Sequence, residues 1–119
     1  MRTFAKIVIL QIFQFLSFSI YSQEINLKSI DSLKWDKRLL ILNTNEKDSA
    51  IRKSTSRFVK KSQCYFDERN LIFIEFINEQ SEDFESPYFI KNLYGLWLIG
   101  YDGKIKSYSS DGLILDKIF

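Results

Sequence analysis

Leu96-Trp-Leu-Ile-Gly-Tyr-Asp-Gly-Lys-Ile-Lys-Ser-Tyr108 is the stretch whose reading decides the fold. An apolar run, an Asp102-Gly103 pair and an alternating tail make the pattern of a β-hairpin. Asp-Gly suits the positive φ values of a tight turn, because Gly has no Cβ to clash and Asp bonds its own backbone. Leu96–Ile99 is apolar on both faces, whereas Lys104-Ile105-Lys106-Ser107-Tyr108 alternates. The second strand is therefore expected at a sheet edge, with one wet face and lysines that discourage pairing with other chains.

Working back from the hairpin, Tyr88–Tyr94 reads as a short helix and Asn78–Ser86 as a solvated loop carrying Glu79, Glu82, Asp83 and Glu85 ahead of the only proline, Pro87. The acidic spacing matches no calcium loop and lacks the turn Gly, so no metal site is expected. Leu71–Ile77, Leu-Ile-Phe-Ile-Glu-Phe-Ile, is a strand with apolar residues on both faces, interrupted by Glu75. A strand carboxylate of this kind belongs near an edge or beside a base. Arg38–Thr44, built on Leu39-Leu40-Ile41-Leu42, is a strand buried on both faces.

Between these strands a helix is expected from about Glu46 to Lys61, capped by Thr44 or Asn45, with Glu46 and Asp48 in its first turn. Ile51, Phe58, Val59 and Tyr65 share its apolar stripe. Strand, helix, strand implies a parallel pair joined by a crossover. Ahead of the first strand, Leu27, Ile30 and Leu33 allow a short helical turn, and Trp35 is expected to anchor this arm to the core. After the hairpin, Ser109-Ser110-Asp111 is positioned to cap a last helix bearing Leu113, Ile114, Ile118 and Phe119. The elements sum to β-α-β-β-β-α: an α/β fold with a four-stranded mixed sheet of order 2-1-3-4, thioredoxin-like, with a ferredoxin-like α+β sandwich as the alternative.

Met1–Ser22 has the organisation of a secretory signal peptide. Arg2 and Lys6 precede an apolar stretch from Ile7 to Ile20, Ser22 supplies the small residue, and cleavage is expected before Gln23. The stretch is short of the roughly 20 residues that span a bilayer. Residues 23–119 then form a single domain, exported to the periplasm or beyond, with no membrane span after cleavage. The formal charge of +2 over 119 residues comes from Arg2 and Lys6, and the remainder balances fifteen basic against fifteen acidic residues. A neutral domain has no electrostatic basis for binding nucleic acid.

The chemistry-bearing residues are few. No His is present, which removes His-based triads and most catalytic zinc sites. No glycine-rich phosphate loop occurs, and no cofactor is implied. Cys64 is the single cysteine, so the chain forms no internal disulfide. Tyr65 and Phe66 beside it suit a small core residue. Lys60 and Lys61 leave open a reactive thiol, which needs a basic neighbourhood.

Trp35-Asp36-Lys37-Arg38-Leu39-Leu40, Glu68-Arg69-Asn70-Leu71 and Leu98-Ile99-Gly100-Tyr101-Asp102-Gly103-Lys104-Ile105-Lys106 resemble three ordered landmarks of the domain of unknown function 4174 family. The resemblance covers about Leu33 to Phe119. It implies a thioredoxin-like fold in an exported bacterial protein and brings no activity with it. The family usually has Lys at the position of Tyr101 and Asp at that of Asn70, and continues into a Met-Pro-Met-Arg-like tail. Thioredoxins carry a dithiol where the first strand meets the first helix, and here Asn43–Asp48 has no Cys. Gly95 stands at the position resembling their cis-proline. With both redox hallmarks missing, the expectation is an exported, non-catalytic domain that binds a protein or small ligand, or is structural, at the cell envelope. The alternative is a one-Cys peroxidase-like enzyme using Cys64. Binding candidates are the polar members of the landmarks: Arg38, Glu68, Arg69, Asp102, Lys104 and Lys106.

Overall fold

A computed structural model describes residues 27–46 and 49–119, so the signal peptide expected over residues 1–22 lies outside the described residues. Four strands form one sheet: β1 (Arg38–Thr44), β2 (Leu71–Ile77), β3 (Gly95–Ile99) and β4 (Ile105–Ser109), in the order β2-β1-β3-β4. β1 runs parallel to β2 with Arg38 opposite Leu71 and Thr44 opposite Ile77. It runs antiparallel to β3 with Ile41 opposite Trp97. Because β1 and β2 are direct neighbours, their β-α-β unit is not split by an inserted strand, and the ferredoxin-like alternative falls.

The period of two divides the sheet into two faces. Leu40, Leu42, Leu71 and Leu96 pack with Phe66 and Ile114 on one face, under the helices α1 (Ala50–Lys61) and α2 (Gln63–Glu68). Leu39, Ile41, Ile74, Phe76, Trp97 and Ile99 pack with Ile90 on the other, which is covered by non-helical chain and two 3-10 turns, Ile30–Leu33 and Tyr88–Ile90. β1 is buried along both faces, as its continuous apolar run requires.

Several expectations are corrected. The helix starts at Ala50, capped by the Ser49 hydroxyl, which accepts from the Arg52 N–H at 3.4 Å. Thr44 is still strand and turns its hydroxyl to the Glu46 carbonyl at 3.2 Å. The helical run breaks at Ser62, whose N–H donates to Phe58 and Val59 carbonyls, so Tyr65 sits on the separate α2 and is exposed. Cys64 is also on α2 and exposed, not a core residue. The last helix is a 3-10 turn, Leu113–Lys117. Asp111 and Ser109 still satisfy its first amides, accepting from Leu113 and Ile114.

Trp35 does not anchor the amino-terminal arm. Its side chain is 69% exposed, and Ile30 and Leu33 pack on the core instead. The Trp35 N–H donates to the Tyr101 carbonyl at 2.7 Å, tying the arm to the hairpin by backbone alone. The hairpin loop is also wider than a two-residue turn. Gly103 donates to the Gly100 carbonyl and Gly100 to that of Lys104, both at 3.0 Å, and in this loop only Gly103 has positive φ, at 77°. This is a three-residue connection with a left-handed glycine last.

Candidate functional site

The three landmark segments meet at the amino ends of β1 and β2. Arg38 opens β1, and its guanidinium donates to the Arg69 carbonyl from Nε at 3.2 Å and from Nη2 at 2.9 Å. The same guanidinium lies 5.6 Å from the centre of the Tyr101 ring. The Tyr101 hydroxyl in turn donates to the Arg69 carbonyl at 3.4 Å and accepts from Asn70 Nδ2 at 3.3 Å. Asn70 has φ of 50°, a conformation that Asn tolerates better than most residues. Arg69 directs its own guanidinium onto Phe119 at 4.8 Å and Tyr65 at 5.4 Å. Its ion pair with Glu68 is 3.9 Å long and highly exposed, an arrangement worth little.

The remaining candidates lie elsewhere. Asp102 Oδ1 accepts the Lys104 N–H at 3.0 Å and Oδ2 accepts from Lys106 Nζ at 2.9 Å. That backbone hydrogen bond, and then the lysine, hold the Asp102 carboxyl below its ordinary pKa. Lys104 lines a cleft of about 400 Å³ against the opposite face's cover, with Asp31, Glu85 and Tyr88. Arg38 and Arg69 are thus brought together in a structural joint, while the hairpin lysines serve the turn and a separate cleft.

The carboxyl end of β1 is where an α/β sheet of this kind presents its chemistry. Asn43 occupies it, fully buried. Its Nδ2 donates to the carbonyls of Ile90 at 3.3 Å and Leu93 at 2.9 Å, and its Oδ1 accepts the Glu79 N–H at 3.1 Å. The β2 strand ends in a turn with Asn78 at φ 50° and Glu79 at φ 63°, closed by reciprocal bonds between Ile77 and Gln80 of 2.9 and 3.0 Å. Two successive left-handed residues are the mark of a type I′ turn. Opposite Asn43 in the ladder stands Gly95, where an added Cβ would lie 2.6 Å from the Ser109 carbonyl oxygen and 2.8 Å from the Tyr108 ring. Sequence reasoning passed over Asn43. The available signal was an amide side chain closing an otherwise apolar, two-face-buried strand, since a buried amide demands partners.

Cys64 is remote from that end in the topology, because α2 leads directly into the start of β2. Glu75 lies on the edge strand β2 and pairs with Arg52 of α1, as a strand carboxylate there should. Glu82, Asp83 and Glu85 are exposed. Among the described residues no cluster of His, Cys, Asp or Glu is arranged to hold a metal, and no helix is long and apolar enough to cross a membrane.

A family model described as Domain of unknown function (DUF4174) matches residues 29–119. No curated protein and no solved structure matches the chain.

Proposed function

The chain belongs to the DUF4174 family, and on that premise we propose that it is an exported, non-catalytic, thioredoxin-like domain with a binding or structural role at the cell envelope. Export rests on the charged and apolar organisation of residues 1–22. The thioredoxin-like reading is supported by the parallel β1/β2 pair, the intervening helix and the antiparallel hairpin in the order 2-1-3-4.

The observation that carries the non-catalytic reading is Asn43. A thioredoxin-like enzyme needs a reactive group, exposed and activated, at the carboxyl end of the first strand. Here that stretch, Asn43–Asp48, has no Cys, and it opens on a buried amide whose two donors and one acceptor bond are all spent on backbone from two other segments. The Cys64 thiol is exposed, which keeps the one-Cys peroxidase as the reading to test against.

The test is turnover. The folded chain and its Cys64→Ser variant are given hydrogen peroxide, and separately a protein disulfide, each with a dithiol reductant. Equal background rates for both proteins are expected. Consumption that depends on Cys64 and saturates with peroxide would overturn the reading.

A further inference from the structure

We propose that the outer edge of β2 is a docking site for an extended, basic segment of a partner protein, which joins the sheet as a fifth strand. This gives a partner class to the binding role proposed above and rests on that reading.

The hydrogen-bond parity of β2 is fixed from both ends. Arg38 donates to the Asn70 carbonyl at 2.9 Å and Asn78 donates to the Thr44 carbonyl at 2.7 Å, so the even-numbered residues of β2 face β1. Leu71, Phe73, Glu75 and Ile77 therefore direct their N–H and C=O groups away from the sheet. Ile77 is satisfied by Gln80 in the type I′ turn. Among the described residues nothing pairs with the outward backbone of Phe73 or Glu75. Such a row of free groups is a template for another strand.

The edge is also shaped to receive one. Between β2 and the chain beyond the turn lies a groove of about 430 Å³, lined by the apolar Phe73, Ile77 and Phe84, by the paired Glu75 and Arg52, and by Glu82 and Asp83. Of the acidic run that follows β2, Glu82 and Asp83 line this groove and are exposed, whereas Glu85 lines the other cleft. Glu75 is neutralised by Arg52. The rim is negative and the wall beside it apolar, so an extended segment alternating basic and apolar residues is complementary. The other sheet edge, β4, is guarded by exposed Lys104 and Lys106. A second copy of this chain fits less well. Pairing β2 with its duplicate would draw together two α1 helices, each with five cations and no acid.

The experiment measures amide hydrogen exchange of the chain with a probe peptide of about seven residues alternating lysine and valine, matched to the seven-residue β2. Slowing of the Phe73 and Glu75 amides by about tenfold is expected. Binding should weaken about tenfold with the Glu82→Lys, Asp83→Lys double variant. It should be lost when alternate amides of the peptide are N-methylated. No slowing at Phe73 and Glu75, equal binding of a glutamate–valine peptide, or insensitivity to N-methylation would each overturn the proposal. So would protection of the same amides by self-association without peptide. Cys64-dependent turnover would remove the non-catalytic reading while leaving the peptide result to stand or fall by itself.

Discussion

Gly95 and Gly103 both have positive φ, and the difference between them separates conformation from space. At Gly103, with φ 77°, an added Cβ would meet only Lys34 side-chain carbons at 3.5 Å or more, an ordinary contact. Gly103→Val should therefore cost the strain of a β-branched residue in the left-handed region, about 1–2 kcal/mol. An unchanged melting temperature would show that the hairpin assignment is wrong. Gly95→Ala should cost more, because its Cβ is set 2.6 Å from the Ser109 backbone carbonyl, which cannot swing aside. Asp102 makes a different prediction. Its folded pKa is depressed, chiefly by the Lys104 N–H and next by the Lys106 side chain. A depressed carboxylate contributes stability above its ordinary pKa of 3.8, and that contribution disappears as pH falls from there through the folded value. Denaturation curves of Asp102→Asn and the parent should converge in acid and separate toward neutral pH. A constant separation across that range would contradict the assignment.

At the scale of elements, the strands were legible and the helix ends were not. Leu39-Leu40-Ile41-Leu42 and Leu71–Ile77 are continuous apolar runs too short for helices and flanked by polar residues, so burial on both faces follows from composition. Thr44, Asn45 and Ser49 are all chemically competent caps. The choice of Ser49 depends on how far β1 extends before it releases the chain, a tertiary matter. The break at Ser62 was equally hidden, because nothing in Phe58–Phe66 disfavours a continuous helix. Trp35 misled for a related reason: a large apolar ring predicts burial, but its backbone has φ 72° and its N–H is held by Tyr101, which leaves the ring outside. Within α1, Thr55 is completely buried and its hydroxyl has no partner among the described residues. Thr55→Val keeps the shape and removes the unsatisfied oxygen, so the variant should gain about 1 kcal/mol in urea denaturation. A loss of stability would mean that the hydroxyl is bonded in solution.

For the whole molecule, the three landmark segments were legible as a set, and the structure supplies the reason they belong together. Arg38, Arg69, Asn70 and Tyr101 tie the starts of β1 and β2 to the hairpin loop. Of these four, sequence offered Arg38 and Arg69, with Glu68, Asp102, Lys104 and Lys106, as binding candidates, since polar residues at element ends look alike whether they grip a ligand or one another. Asn43 was missed for the converse reason, because its partners are three backbone groups that lie 36 to 50 residues away. Through them it joins β1, the type I′ turn after β2 and the chain entering β3, closing that end of the sheet. Equilibrium unfolding of Asn43→Ala tests this most directly. With three backbone hydrogen bonds lost, one buried and two part-buried, a loss of about 3 kcal/mol is predicted, with a single cooperative transition retained. Stability within about 0.5 kcal/mol of the parent would contradict the account, since a surface-like response at a buried position would leave Asn43 free of the structural duty assigned to it.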